Sequence, residues 1–315
     1  MNLGAEKHET MERQKMPILR KPRIGLALGA GGARGWAHIG VIRALQDAGV
    51  EPEIVCGSSM GSLIGAAYAG GTLERIESWA QTLGWRDVLG LMDFTWRGGL
   101  IRGEKLFDFF RTRVEDRDIG ELPMPYGAVA TELHTGREVW LREGNALDAV
   151  RASIAIPGVF APVLRGGQVL VDGGLVNPVP VSLCRALGAE IVIAVDVGWA
   201  KIGYYRERAL AIARQKAGEK SGWWSRLTGN AAADKETEPP AASMPGALEV
   251  FLTSIDVMQV RIGRSRLAGE PADVLITPIL PEFGMMDFHR AAEAIAEGRA
   301  ATERVRAGLD HLLGA

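Results

Sequence analysis

Short apolar runs alternate along this chain with longer segments whose apolar residues recur every three or four positions. The short runs predict buried β-strands and the longer segments predict helices. Predicted strands occupy residues 24–28, 54–56, 126–130, 169–171, 191–195 and 274–277. Predicted helices occupy residues 34–48, 61–69, 73–82, 104–112, 146–153, 179–187, 248–267 and 289–312. This alternation predicts an α/β fold whose mostly parallel central sheet is covered by helices on both faces.

Two segments differ in composition from the rest of the chain. Residues 1–22 are polar and charged and contain no apolar run, which predicts a flexible N-terminal tail rather than a signal peptide. Residues 216–247 are rich in Ala, Lys, Glu and Pro, and the pair Pro239 and Pro240 cannot lie inside a helix. We therefore expect a mobile surface insertion there, within a single domain that extends from residue 23 to residue 315.

The overall composition is that of a globular protein. The 315 residues include 36 basic and 38 acidic side chains, and 47% of them are hydrophobic, so nothing in the charge favours a nucleic-acid partner. Cys56 and Cys184 lie in apolar runs, with neither metal-ligand spacing nor a disulfide framework. No apolar run reaches the length that spans a membrane. We therefore expect a cytoplasmic protein without a metal ion.

A candidate nucleophile, Ser59, lies between a predicted strand and a predicted helix. Gly57 and Gly61 flank it at plus and minus two, and neither Ser58 nor Ser62 has glycine at both of these positions. The sharp strand-to-helix turn that exposes a serine hydroxyl strains the backbone and leaves no room for side chains at the flanking positions. The motif alone is common in a chain with 40 glycines, but its context predicts a nucleophile elbow.

A second glycine-rich segment, residues 29–35, follows the first predicted strand and begins the first predicted helix. It does not fit the dinucleotide-binding frame, because Ala30 occupies a glycine position and no acidic residue ends a second strand about twenty residues later. It does fit an oxyanion hole, in which backbone N–H groups stabilise negative charge on a reacting carbonyl oxygen. A strand-to-helix turn without a ligand is the alternative.

A serine nucleophile needs a base, and the histidines are poorly placed to provide one. His38 lies inside a predicted helix and His289 begins another, as structural or solvated histidines commonly do. Asp172 is a better candidate, because it closes an apolar run and precedes Gly173 and Gly174, which predicts a position at the carboxyl end of a strand. A turn-capping role for Asp172 is the alternative.

Four segments together resemble the patatin-like phospholipases, particularly their bacterial cytoplasmic branch. They are residues 29–35, 57–61, 153–162 and 172–174, in the order and spacing of that family, within a match that covers residues 23–197. The resemblance implies a three-layer α/β/α sandwich and a Ser-Asp dyad of Ser59 and Asp172 without histidine. It also implies oxyanion donors at Gly31, Gly32 and Ala33.

The same resemblance bears on two neighbouring residues of the glycine-rich segment. Arg34 fills the basic position of the family, where it would hold a substrate phosphate or anchor the loop by a salt bridge. Ala30 departs from the family, which usually has glycine there, and a methyl group at this position could restrict the loop.

The function that this resemblance implies is a serine lipid acyl hydrolase, acting on a phospholipid, lysophospholipid or related carboxylic ester without a cofactor. A transacylase that uses the same dyad and a catalytically weak lipid-binding protein are the alternatives. An aromatic segment at residues 85–96 suggests a lid or an acyl-chain wall, with buried core as the alternative. Trp223 and Trp224, flanked by Lys220 and Arg226, suggest peripheral contact with a membrane. The sequence leaves the oligomeric state open.

Overall fold

A computed structural model describes residues 21–84, 86–87, 108, 110–112, 116–199 and 246–313. Several sequence predictions therefore lie wholly or mostly outside the described residues. These are the N-terminal tail at 1–22, the aromatic segment at 85–96, the helix at 104–112 and the insertion at 216–247 with its tryptophan pair.

Eight strands of the described residues form one mixed sheet. Hydrogen bonds connect them in the sequence β5-β6-β3-β2-β1-β7-β8, and β4 also pairs with β3. The strands are Ile24–Leu28 (β1), Ile54–Ser58 (β2), Tyr126–Glu132 (β3), Glu138–Leu141 (β4), Val163–Arg165 (β5), Gln168–Asp172 (β6), Ile191–Val195 (β7) and Val274–Ile276 (β8). Strands β3, β2, β1, β7 and β8 are parallel. Strands β4 and β6 run antiparallel to β3, and β5 runs antiparallel to β6.

Helices cover both faces of this sheet. They are Ala37–Asp47 (α1), Met60–Ala69 (α2), Leu73–Thr82 (α3), Ala146–Ser153 (α4), Val181–Ala186 (α5), Ala247–Gly269 (α6), Ala291–Arg304 (α7) and Arg306–Leu313 (α8). One face packs α1, α2, α3, α4 and α7 against strand residues such as Leu26 and Leu28. The other face packs α5 against the intervening residues, such as Ala27 and Cys56. Alternate side chains of each strand therefore enter two separate cores, as expected for a sheet between two helical layers.

Strands β2 and β6 meet end to end along one edge of β3. Ser58, the last residue of β2, pairs with Val129, and Asp172, the last residue of β6, pairs with Ala130. Strand β4 overlaps both pairings and must therefore occupy the opposite edge of β3. Because β2 and β6 run in opposite directions, their carboxyl ends converge at this point.

The described structure confirms most of the predicted elements. The strands at 24–28 and 191–195 and the helices at 73–82 and 146–153 have the predicted bounds. Two strands were not predicted, β4 and β5, because each is short and partly exposed and shows no clear period of two. The predicted helix at 289–312 is divided into α7 and α8 at Val305, where neither Gly nor Pro marks the break.

Candidate active site

Ser59 occupies a strained turn between β2 and α2. Its backbone angles are φ 53° and ψ −125°, and it is the only non-glycine residue with positive φ in the described part of the chain. The two flanking glycines are needed for space: a Cβ on Gly57 would lie 2.2 Å from Gly61 O, and one on Gly61 would lie 2.2 Å from Leu28 O. Strain of this kind persists only where the surrounding structure enforces it, as at a nucleophile elbow.

The hydroxyl group of Ser59 donates a hydrogen bond to Asp172, with 2.6 Å between Oγ and Oδ2. The Ser59 amide donates to Ser153 Oγ at 2.9 Å, and the Ser59 carbonyl accepts from Ser62 Oγ at 2.6 Å. Ser153 and Ser62 therefore hold the backbone of the turn from both sides, while the Ser59 hydroxyl remains directed at the carboxylate.

Asp172 is completely buried at the end of β6. Its Oδ1 accepts a hydrogen bond from the Gly174 amide at 2.7 Å, and its carbonyl accepts one from Thr131 Oγ1 at 2.7 Å. Burial raises the pKa of the Asp172 carboxyl to about 7, although the hydrogen bonds from Ser59 and Gly174 favour the ionised form. A carboxylate with this pKa is a far better proton acceptor at neutral pH than an exposed aspartate.

Asp172 lies at the carboxyl end of a strand, as the sequence predicts, but this strand does not have the direction that a parallel sheet would give it. Strand β6 is antiparallel to β3, so its carboxyl end points opposite to those of the parallel strands. Asp172 nevertheless reaches Ser59, because β6 pairs only with the last three residues of β3 and stops where β2 ends.

The glycine-rich segment after β1 begins a 3-10 helix at Gly32–Trp36 beside the Ser59 turn. Gly32 has φ +56°, and a Cβ on it would lie 2.5 Å from the Met285 carbonyl oxygen. The Ala33 amide donates to that same carbonyl at 2.9 Å. The prediction of Ala33 as an oxyanion donor is therefore wrong for this arrangement, because its N–H already has an acceptor. Gly31 and Gly32 stay as the predicted donors.

Ala30, the departure from the family pattern, does not strain the segment. Its φ is not positive, so a methyl group does not conflict with the backbone conformation. The Ala30 amide donates to the Pro178 carbonyl at 2.8 Å. Its methyl group lies against Gly174, on which a Cβ would approach within 2.9 Å. Ala30 therefore links the glycine-rich segment to the turn that follows Asp172.

Arg34 forms a buried, bidentate ion pair with Asp256 of α6. The Nη1 group donates to Oδ2 at 2.9 Å, and Nη2 donates to Oδ1. Both side chains are buried, at 1% and 4% relative exposure. Of the two roles predicted for Arg34, the structure supports the loop anchor, because its guanidinium is turned into the protein and held by α6.

The two histidines do not contact the dyad. His38 is completely buried, and its Nε2 donates to the Gly29 carbonyl at 2.8 Å. Burial lowers the pKa of His38 to about 4, so the imidazole is neutral at physiological pH and supports the start of the glycine-rich segment. His289 lies exposed in the 3-10 turn Phe288–Arg290.

A small apolar cluster lies next to these polar groups and is separate from the two cores of the sheet. It joins the segment after α4, the inner face of α6 and the loop that contacts the glycine-rich segment. Its buried members are Ile156, Val159, Ile255 and Met285, and its partly buried members are Phe160, Leu175 and Leu252. An apolar cluster therefore lies beside the glycine-rich segment, through Met285, and beside the turn after Asp172, through Leu175.

Several residues that shape the site carried no local sequence signal. Ser153 ends a helix 94 residues after Ser59, Asp256 lies in a helix, and Met285 lies in a loop. These residues shape the site through tertiary contacts, and the spacing of residues along the chain does not predict such contacts. Ser153 does begin one of the four family segments, which was the only indication of its importance.

The described residues contain no group of three or more His, Cys, Asp or Glu side chains arranged to hold a metal ion. Within the same residues, no helix has both the length and the apolar character needed to cross a bilayer.

Comparison with known proteins gives consistent matches. The model of the family "Patatin-like phospholipase" matches residues 26–185. An uncharacterized NTE family protein of Mycobacterium tuberculosis is 36% identical over 331 aligned residues, which cover 91% of this chain and 92% of the relative. Patatin-like phospholipase domain-containing protein 6 of Homo sapiens is 36% identical over 203 residues, covering 62% of this chain but 14% of that protein.

Among solved structures, VipD from Legionella pneumophila aligns with a TM-score of 0.53 and 15% sequence identity. The alignment covers 90% of this chain and 66% of the VipD chain. At this identity the likeness concerns the fold alone.

Proposed function

The chain belongs to the patatin-like phospholipase family and has the patatin fold, and from this premise we propose that it is a serine lipid acyl hydrolase. Family membership supports a lipid hydrolase activity in general. The finer proposal is that Ser59 is the nucleophile and Asp172 its base. The observation that carries it is the 2.6 Å hydrogen bond from Ser59 Oγ to Asp172 Oδ2 in a strained turn.

In the first half of the proposed reaction, Ser59 Oγ attacks the carbonyl carbon of an ester. Asp172 accepts the hydroxyl proton as the new C–O bond forms, and then gives that proton to the departing alcohol. The amides of Gly31 and Gly32 stabilise the negative charge on the carbonyl oxygen. The products are an acyl-Ser59 ester and a free alcohol.

In the second half, water attacks the acyl carbon and Asp172 accepts one of its protons. The bond to Ser59 Oγ then breaks, Ser59 recovers its proton from Asp172, and the carboxylic acid leaves. One carboxylate therefore serves as base and acid in both halves, which suits a pKa of about 7.

An apolar acyl chain is the substrate feature that the surroundings favour. The cluster of Ile156, Val159, Ile255 and Met285 lies beside the glycine-rich segment through Met285, whose carbonyl accepts from Ala33. Burial of apolar substrate surface against such a cluster would contribute binding free energy in proportion to the area removed from water.

A fluorophosphonate probe tests the proposed nucleophile, because it labels only an activated serine. We expect one equivalent of label on the wild-type protein at Ser59 and none on Ser59→Ala. Hydrolysis of a p-nitrophenyl ester should fall by several orders of magnitude in this variant. Ser58→Ala is the matched control, since Ser58 Oγ is buried one residue away without a hydrogen-bond partner among the described residues. Full turnover by a folded Ser59→Ala variant would overturn the proposal.

A further inference from the structure

Gln259 is a buried glutamine for which the described contacts give no structural purpose. It lies on α6, one turn after Asp256, and is 4% exposed. Its Oε1 atom has no hydrogen-bond partner in the described part of the chain. A buried amide oxygen without a partner loses its hydration without compensation, so such an atom normally has a water molecule or a ligand to bind.

The amide of Gln259 is directed at the turn that holds Asp172. A Cβ placed on Gly174 would lie 2.5 Å from Gln259 Nε2 and 2.9 Å from Asp172 Oδ1. The amide and the carboxylate therefore approach the same face of Gly174, each within 3 Å of one point. Gly174 has no positive φ, so this position requires glycine for space and not for backbone conformation.

The attack of water on the acyl-Ser59 ester, as proposed above, needs a polar group close to Asp172. The attacking water carries two protons, and Asp172 accepts only one of them. The second proton needs an acceptor that orients the water without competing as a base, and a neutral amide oxygen provides this. A phospholipid headgroup is a poorer occupant, because Gln259 and Gly174 are both buried and α6 covers them.

We propose that Gln259 binds the hydrolytic water and positions it against Asp172 for the second half of the reaction. The proposal rests on the proposed acyl-Ser59 intermediate. Gln259 Oε1 accepts a hydrogen bond from one proton of the water. The other proton passes to Asp172 as the water oxygen bonds to the acyl carbon. Asp172 then gives this proton to Ser59 Oγ as the bond between Oγ and the acyl carbon breaks.

The variant Gln259→Met tests this role, because methionine has a similar length and no amide. Stopped-flow measurements with p-nitrophenyl butyrate separate acylation, seen as a burst of p-nitrophenolate, from the steady-state release of the acid. We expect the burst rate to stay within about threefold of the wild-type rate. The deacylation rate should fall by about tenfold, which is the effect of losing one hydrogen bond to the attacking water. Val260→Ala is the matched control on the same helix.

Methanol provides a second readout that a structural role would not change. Its single hydroxyl proton needs only Asp172, and its methyl group needs no acceptor. Methanolysis of the acyl-enzyme should therefore fall much less than hydrolysis in Gln259→Met, which raises the methanol-to-water partition ratio by about tenfold.

Three results would overturn the inference: an unchanged partition ratio, an equal loss in both half-reactions, or an effect confined to KM. Full ester turnover by a folded Ser59→Ala variant would instead contradict the acyl-enzyme, and with it the proposed function, whatever the Gln259 variants show. Since Gln259 Oε1 has no hydrogen-bond partner to lose among the described residues, we expect Gln259→Met to fold, and Gln259→Leu serves as a second variant.

Discussion

At Asp172, the stability of the fold and the proposed activity require opposite protonation states of the carboxyl group. Burial favours the neutral carboxyl, whereas proton transfer from Ser59 requires the carboxylate. The folded protein therefore holds an ionised group that it would be more stable without, in the position where a base is needed. Active sites commonly hold a functional group in an environment that lowers the stability of the fold.

Replacing Asp172 by asparagine separates the two effects. We expect Asp172→Asn to lose nearly as much esterase activity as Ser59→Ala, because an amide does not accept the serine proton. The same variant should be more stable than wild type at pH 8, by up to about 4 kcal/mol, since the pKa is about 7 in the fold and 3.8 ordinarily. Urea unfolding and ester turnover measure the two quantities.

The sign of the pH dependence follows from the raised pKa. The wild-type protein loses stability relative to Asp172→Asn as the pH rises from about 4 to about 7, and the difference is constant above that. Its kcat/KM should fall tenfold per pH unit below pH 7, as Asp172 is protonated. A stability difference that shrank with rising pH, or an active Asp172→Asn, would contradict the assignment of Asp172 as base.

Individual residues were predictable from the sequence where each carries a local signal. Ser59 has two flanking glycines, and Asp172 ends an apolar run before two more, so both could be named without a structure. Ala33 could not be assigned correctly, because its amide is occupied by Met285, more than 200 residues away. No sequence pattern marks Gln259, because the feature that distinguishes it is its tertiary position beside Gly174.

At the scale of elements, helix α6 joins the parts of the site that are distant in sequence. Its inner face holds the glycine-rich segment through Asp256, presents Gln259 to Gly174 and adds Ile255 to the apolar cluster. A helix was predicted at 248–267, but its face and partners were not. The direction of β6 could not be predicted either, because the apolar run before Asp172 is compatible with a parallel or an antiparallel strand.

Removal of the Asp256 charge tests the anchoring role of α6. Asp256→Asn breaks a buried ion pair with Arg34, so we expect unfolding to become easier by about 3 to 5 kcal/mol. The turnover number of the folded protein should fall as well, because Arg34 no longer fixes the segment with Gly31 and Gly32. Asp47→Asn, which breaks an exposed pair with Arg299, should change stability by less than about 1 kcal/mol.

The competing role for Arg34 predicts a different pattern of kinetics. If Arg34 held a substrate phosphate, freeing it from Asp256 would improve binding of phospholipids and leave uncharged esters unaffected. Comparing KM and kcat of Asp256→Asn for a phospholipid and for a p-nitrophenyl ester distinguishes the two roles. Anchoring predicts a loss in kcat for both substrates.

At the scale of the whole molecule, α6 faces the site on one side and the surroundings on the other. Its outer face exposes apolar residues at helical spacing, namely Val250, Phe251, Val257 and Met258. We propose that this face contacts a lipid surface, because the proposed substrate is a lipid and the opposite face of the same helix contacts Arg34 and the turn after Asp172. With a formal net charge of −2, the protein has no general attraction to anionic lipids, so apolar contact would provide the binding.

The double variant Val257→Ser with Met258→Ser tests this contact. We expect turnover of phosphatidylcholine vesicles to fall several-fold, because two apolar side chains no longer leave water on binding. Turnover of p-nitrophenyl butyrate, which needs no surface, should be unchanged. The control is Leu164→Ser with Ile279→Ser, which removes two exposed apolar side chains, 74% and 55% exposed, away from α6. If this control lowered vesicle turnover as much as the α6 variant, general surface hydrophobicity would explain the effect and α6 would have no special part in it.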